Sequence, residues 1–211
     1  MRFGKSLVMT GFSSFTKENT MKHAQTIEII RKLKVKKVKF EHGLSDKEVQ
    51  QIENKFNLRF PPDLQYFLQK ELPISNGFVN WRLGLQSKIE AMDIRKRIDW
   101  PFSGIVFDIE HNAFWMEEWG EKSNDLNENI MVAEIYYETY PKMIPIYSHR
   151  YIPSEPHKTG NPVFSIYQTD IIYYGYDLAH YFAHEFRFEL SDKFPIIDAP
   201  NHIDFWGDIE S

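Results

Sequence analysis

The chain contains no cysteine. Disulfides, thiolate zinc sites, iron–sulfur ligation and cysteine nucleophiles are thereby excluded, and a reducing compartment suits such a chain. No stretch approaches the roughly 18 apolar residues of a membrane span. Met1–Thr20 also lacks the continuous apolar core of a signal peptide; a cytoplasmic protein without membrane insertion is expected. A glycine-rich phosphate loop is missing too, and nothing reads as a dinucleotide fingerprint, a Walker motif or a nucleophile elbow. Internal repeats and low-complexity segments are likewise absent.

What is present is aromatic and unevenly charged. The 17 Phe, 11 Tyr and 5 Trp can dominate one core and still leave rings at the surface, and 211 residues suit one domain. The formal charge of −5 divides sharply: residues 1–40 hold ten Lys/Arg against two acids, and residues 41–211 hold fifteen against twenty-eight. Six of the cations lie between Arg31 and Lys39, interleaved with Leu33, Val35 and Val38. Nucleic-acid binding is the sharper reading of that run, and a solvated face lying against an acidic body the plainer one. A body at −13 repels nucleic acid and attracts a basic protein.

Residues 1–20 are rich in Ser, Thr, Gly and Lys and are expected to be disordered or dispensable, with Met21-Lys22-His23 as a second candidate start. Residues 21–42 read as a basic N-terminal helix or extension, with Ile27, Ile30 and Leu33 at helical spacing. Ser45 and Glu48 have the spacing of a capping box, opening a helix over Asp46–Phe56 that buries Val49, Ile52 and Phe56. Pro61-Pro62 opens the next helix, with Leu64, Phe67 and Leu68 as its stripe. A helix over Lys88–Ile98 should end before Trp100-Pro101. Alternation over Gly104–Ile109 predicts a strand, with Ala113–Met116 as a hairpin partner. A further helix is expected over Asn124–Tyr137. Strands are expected at Met143–Tyr147, Pro162–Tyr167 and Thr169–Tyr174, around a Ser148–Gly160 loop, and a last helix over Asp177–Phe188. The acidic tail, residues 191–211, carries Phe205 and Trp206 to dock on the domain. The fold class is α+β: one domain with a mainly antiparallel central sheet packed by N-terminal helices and a C-terminal helix.

Candidate chemistry is sparse. His180 and His184 lie one turn apart beside Glu185, a spacing that can hold a divalent metal, with His149 or His157 as a third ligand. However, Tyr181 stands where a zincin has Glu, and amphipathic packing explains the pair equally well. Ser148, His149, Arg150 and Tyr151, together with Pro153, Glu155, Pro156 and His157, form a recognition loop candidate with Asp170 as partner group. Equally, Arg150 and Asp170 can form a structural salt bridge. Asp108 and Glu110 would share a strand face and, with Glu117/Glu118, invite a paired-carboxylate reading, against which stand solvated acids. Trp81, Trp100, Trp115 and Trp119 read as core or rim.

The stretch Gly43-Leu44-Ser45-Asp46-Lys47-Glu48-Val49 through Phe60-Pro61-Pro62-Asp63-Leu64-Gln65-Tyr66-Phe67-Leu68 resembles the opening of the SUKH superfamily, the Smi/Knr family. Trp100-Pro101, Gly104–Asp108, Phe114-Trp115, Ile144-Pro145-Ile146, Asn161–Ser165 and Asp170–Gly175 come next in the family's order, so the likeness covers residues 43–190. It implies an α+β domain with neither catalytic residues nor an obligatory cofactor. Bacterial members look like immunity proteins that neutralise polymorphic or contact-dependent toxins; fungal members regulate cell-wall synthesis and signalling. The expected function is a non-catalytic protein-binding module of the immunity type, with a basic toxin domain as partner and nucleic acid disfavoured. His149, Arg150, Tyr151, Asp170, Trp115, Glu117 and Glu118 are the candidate contacts. A regulatory scaffold of envelope or stress signalling is the alternative, and a metal-dependent hydrolase the third reading.

Overall fold

The computed structural model describes residues 10–209. Helix α1 (Thr10–Val35) is followed by β1 (Phe40–His42), α2 (Asp46–Phe56), α3 (Pro62–Lys70), β2 (Glu71–Pro73) and α4 (Trp81–Gln86). Then come α5 (Lys88–His111), a 3-10 turn at Glu117–Trp119, and α6 (Leu126–Tyr137). The strands β3 (Met143–Tyr147), β4 (Arg150–Pro153), β5 (Val163–Tyr167) and β6 (Asp170–Gly175) precede α7 (Leu178–Glu185). Strands β3–β6 form an antiparallel sheet in sequential order, and β1 pairs antiparallel with β2. The class is α+β. No helix among the described residues is long and apolar enough to cross a membrane.

The sheet is covered on both faces because its side chains alternate. Ile144, Ile146, Ile152 and Val163 join a core with α1–α4, the first half of α5, and Tyr181 and Phe182 of α7. Met143, Tyr151, Phe164, Ile166 and Ile171 face a second core built from Ile105 and Ile109 of α5, Ala133 of α6, Trp119, and Ile203, Phe205 and Trp206 of the tail. Phe205 stacks on Tyr140 with ring centroids 3.9 Å apart, and Trp206 donates its indole N–H to the Pro141 carbonyl at 2.8 Å.

Helix α2 starts where its capping box places it: the Glu48 amide bonds the Ser45 hydroxyl, and the Glu48 carboxylate accepts the Ser45 N–H. Helix α3 opens on Pro62. Gly43 lets the chain pass α3, since a Cβ there would lie 2.0 Å from the Gln69 carbonyl oxygen.

Two expectations are overturned. The segment Gly104–Ile109 is not a strand, Ala113–Met116 is not its partner, and the helix over Lys88–Ile98 does not stop at Pro101. All of Lys88–His111 is one helix. Its buried positions Pro101, Gly104, Ile105, Asp108 and Ile109 are spaced as a helix face, so a run that alternates locally also satisfies the longer period. Proline in a helix interior leaves the carbonyl four residues back without its N–H donor. Here the Tyr151 hydroxyl donates to the Arg97 carbonyl at 3.0 Å and replaces that bond. Gly104 brings the helix against the β5–β6 turn, where a Cβ would meet the Gln168 Cα at 2.6 Å. Ala113, at φ 58°, turns the chain away in the left-handed region.

The second correction concerns Ser148–Gly160, which is not one loop: Arg150–Pro153 is the fully buried strand β4, between β3 and β5. Helix α1 begins at Thr10; residues 1–9, the start of the stretch expected to be disordered or dispensable, lie outside the described residues, as do 210 and 211. The basic run spans the exposed end of α1 and the turn that leads to β1: Leu33 and Val38 are buried, Arg31 and Lys34–Lys37 are exposed, and Lys34 pairs with Glu71.

Candidate functional site

The sequence-derived candidates divide between two neighbourhoods. His149 and Tyr151 line a groove of about 310 Å³ together with Lys96, Arg97, Ser148, Trp100 and Tyr167. Burial and the neighbouring Arg150 guanidinium hold the His149 imidazole below its usual pKa, and burial pushes the Tyr151 phenol up to about 12. Tyr151 is committed to the Arg97 carbonyl, and Arg97 itself donates to the Ser148 carbonyl at 3.0 Å.

Arg150 points to the opposite face of the sheet. It lies 3.0 Å from Glu185, donates to the Ser165 hydroxyl at 2.8 Å and sits 3.6 Å above the Tyr174 ring. The expected Arg150–Asp170 bridge therefore does not form. The register explains why: Arg150 stands opposite Ser165 and Ser165 opposite Ile172, so Asp170 is two strands away and further along, exposed at the start of β6. Glu185 neighbours the histidines in the chain, but only the docking of α7 makes it the partner of Arg150. The Ser154–Gly160 stretch braces the Pro61-Pro62 turn: His157 Nε2 donates to the Phe60 carbonyl, and the Gly160 N–H to Asp63.

The other carboxylate and histidine pairs separate as well. Asp108 and Glu110 do not share a face. Asp108 is buried and accepts the Thr169 N–H at 2.8 Å and hydroxyl at 2.7 Å, whereas Glu110 is exposed on α5. Burial alone would raise the Asp108 pKa; the bonds from Thr169 and Asn112 outweigh it and hold the carboxyl below its usual range. His180 bonds Asp177 at 2.7 Å, while His184 donates to the Tyr174 carbonyl at 3.0 Å and stacks on that ring. Each imidazole thus has its own partner, and no group of three metal-ligating side chains occurs among the described residues.

Trp115, Glu117 and Glu118 belong to the second neighbourhood, where the 3-10 turn meets α6. Trp119 is buried and donates to the Tyr140 hydroxyl, which in turn donates to Glu118. Trp115, half-buried, packs edge-on against Trp119 and donates to the Gly120 carbonyl. Beside it, α6 begins at an Asp125 cap and buries Asn129 and Ala133. Asn129 is held by the Ser123 backbone through both ends of its amide. That packing turns Met131 and Ile135 outward, 55% and 68% exposed, one turn apart and flanked by Glu128, Glu134 and Glu138, all exposed. Helix α6 has no Lys or Arg of its own; Lys142 approaches Glu138 at 3.9 Å, and Lys122 lies 5.9 Å from the Trp115 ring. Sequence reasoning placed a helix here and singled out the turn, but not the outward face of α6. The signal for that face is the spacing of Met131 and Ile135 opposite Ala133, with glutamates on both flanks.

A third feature has no local sequence signature: a cleft of about 1020 Å³ between α1, α3, α7 and residues 192–197. Ile29, Phe67 and Phe182 are among its walls, and Asp63 and Asp177 lie at its lining. Its parts come from five separated segments, Thr159 and Gly160 included, which no short pattern connects. No protein-family model matches the chain, and no curated protein or solved structure matches it.

Proposed function

We propose that this chain is a non-catalytic binding module that captures a basic protein on the face formed by α6 and the Glu117–Trp119 turn. The observation that supports it is the Met131/Ile135 pair, apolar and exposed at the centre of Glu128, Glu134 and Glu138. Interfaces are built this way, with an apolar centre that excludes water and a charged rim that steers the partner and rejects wrong ones. Glu117, Glu118 and the edge of Trp115 extend the rim. The body as a whole, at −13 outside the first forty residues and with these glutamates included, gives long-range attraction for a basic partner.

The resemblance to the SUKH superfamily makes a toxin domain encoded beside this gene the first partner to test, with a signalling regulator as the alternative. The chain and that domain, purified separately, should form a complex by calorimetry that weakens as salt rises. Ile135→Arg should weaken it at least about tenfold, because it places a cation at the centre against a basic partner. Binding unchanged by Ile135→Arg removes this face from the proposal. Undiminished toxicity in cells expressing the wild-type chain removes the immunity reading.

A further inference from the structure

The cleft between α1, α3, α7 and the chain segment 192–197 has a construction distinct from the α6 face. Its walls are apolar: Ile29 from α1, Phe67 from α3, Leu178 and Phe182 from α7, and Phe194 and Ile197 from the segment. That segment is tied down at its start, where Glu28 accepts the Ser191 hydroxyl at 2.8 Å and Gln25 donates to the Lys193 carbonyl at 2.6 Å. Among the described residues, three carboxylates, Asp63, Asp177 and Asp192, line the cleft with one cation, Lys193, whose ammonium lies 3.9 Å from Glu28. Asp63 accepts the Leu64 and Gly160 N–H groups, and Asp177 caps α7 and bonds His180.

We propose that this cleft binds an amphipathic cation, an amine carried on an aliphatic or aromatic body, with the body against the Phe67/Phe182 wall and the ammonium at Asp63 and Asp177. The size suits it, since small-molecule sites run to roughly 300–1,000 Å³ and combine apolar walls with a few charged groups. Charge complementarity selects the sign: an anion would meet three carboxylates, and a neutral ligand would bring no charge to Asp63 and Asp177. Burial raises the Asp63 pKa, with Asp177 adding to the rise, and a bound ammonium would reverse that strain on the carboxylate.

Dansylcadaverine is the probe, because its emission rises when the fluorophore enters an apolar site. Its N-acetyl derivative supplies the same body without charge, and dansyl-6-aminohexanoate the same body with a carboxylate. The full chain should bind the amine at least about tenfold tighter than either control. Asp63→Asn and Asp177→Asn should each weaken the amine by about fivefold or more and leave the two controls unmoved; asparagine at 177 keeps the Oδ1 acceptor that caps α7, and at 63 it keeps an acceptor for one of the two N–H groups, so Asp177→Asn is the cleaner variant. Ala179→Lys, which delivers an ammonium into the cleft from α7, should abolish amine binding while the circular dichroism melt stays intact. Equal binding of all three probes, binding of none, or amine selectivity that survives both Asn variants would overturn the proposal.

Discussion

Arg82 shows how much one side chain can organise. It is buried in α4, and its guanidinium lies 2.6 Å from Glu48 while donating to the His42 and Gly43 carbonyls. It thereby joins α4, the capping box of α2 and the end of β1. The Glu48 carboxyl is drawn down from 4.5 to about 2, chiefly by the hydrogen bond from Arg82. A depressed carboxylate pKa contributes stability above the unfolded value, and that contribution is lost as pH falls through the folded one. Unfolding stability should therefore decline between about pH 4.5 and pH 2 more steeply in the wild type than in Glu48→Gln. The pair remains partly solvated, so the difference should be about 1 kcal/mol, read from urea melts across that range. Parallel wild-type and Glu48→Gln curves would show that Arg82 is satisfied by its two carbonyls and Glu41, 3.3 Å away, without Glu48. The capping box was legible because it is local. The Arg82–Glu48 pair was not, because 34 residues of chain separate its members.

At the scale of elements, α2 and α3 were readable for the same reason: cap, stripe and proline all lie close together in the chain. Helix α5 was not, because Pro101 argues locally for a break and the alternation after it argues for a strand. The carbonyl that Pro101 leaves without a donor is met from another element, by the Tyr151 hydroxyl on Arg97. Strand β4 was hidden for the converse reason. Its Arg150 and Pro153 read as loop residues until Glu185 and the neighbouring strands supply their partners. Tyr151→Phe keeps the ring and removes the donor, leaving the part-buried Arg97 carbonyl without its protein partner at a cost of about 1 kcal/mol. Adding Pro101→Ala restores an N–H four residues on, so the double variant should recover at least half of that loss in denaturant melts. Strictly additive effects would mean that the helix carries the gap without help from Tyr151.

Across the whole molecule, the two cores meet at the sheet and are closed by different ends of the chain. The first is built largely from residues before Gln86, and the second is sealed by Ile203, Phe205 and Trp206. The aromatic residues of the acidic tail signal that it docks; its place against Tyr137, Tyr140 and Trp119 could not be read, because those partners come from α6 and the turns around it. Trp206 is fully buried, so Trp206→Ala should cost about 3–5 kcal/mol. In a chain of this size that lowers the melting temperature by roughly 10 °C. The loss should also be localised. Tyr137 packs edge-on against Trp206, and Tyr140 connects to Trp119 and Glu118, so loosening this corner should speed amide exchange in α6 and the Glu117–Trp119 turn ahead of α2–α4. Because Met131 and Ile135 depend on α6 being held, the proposed binding of a basic protein should weaken in Trp206→Ala at temperatures where the first core is still protected. Exchange that rises equally in both cores would show a single cooperative unit and would leave the α6 face without a separate support.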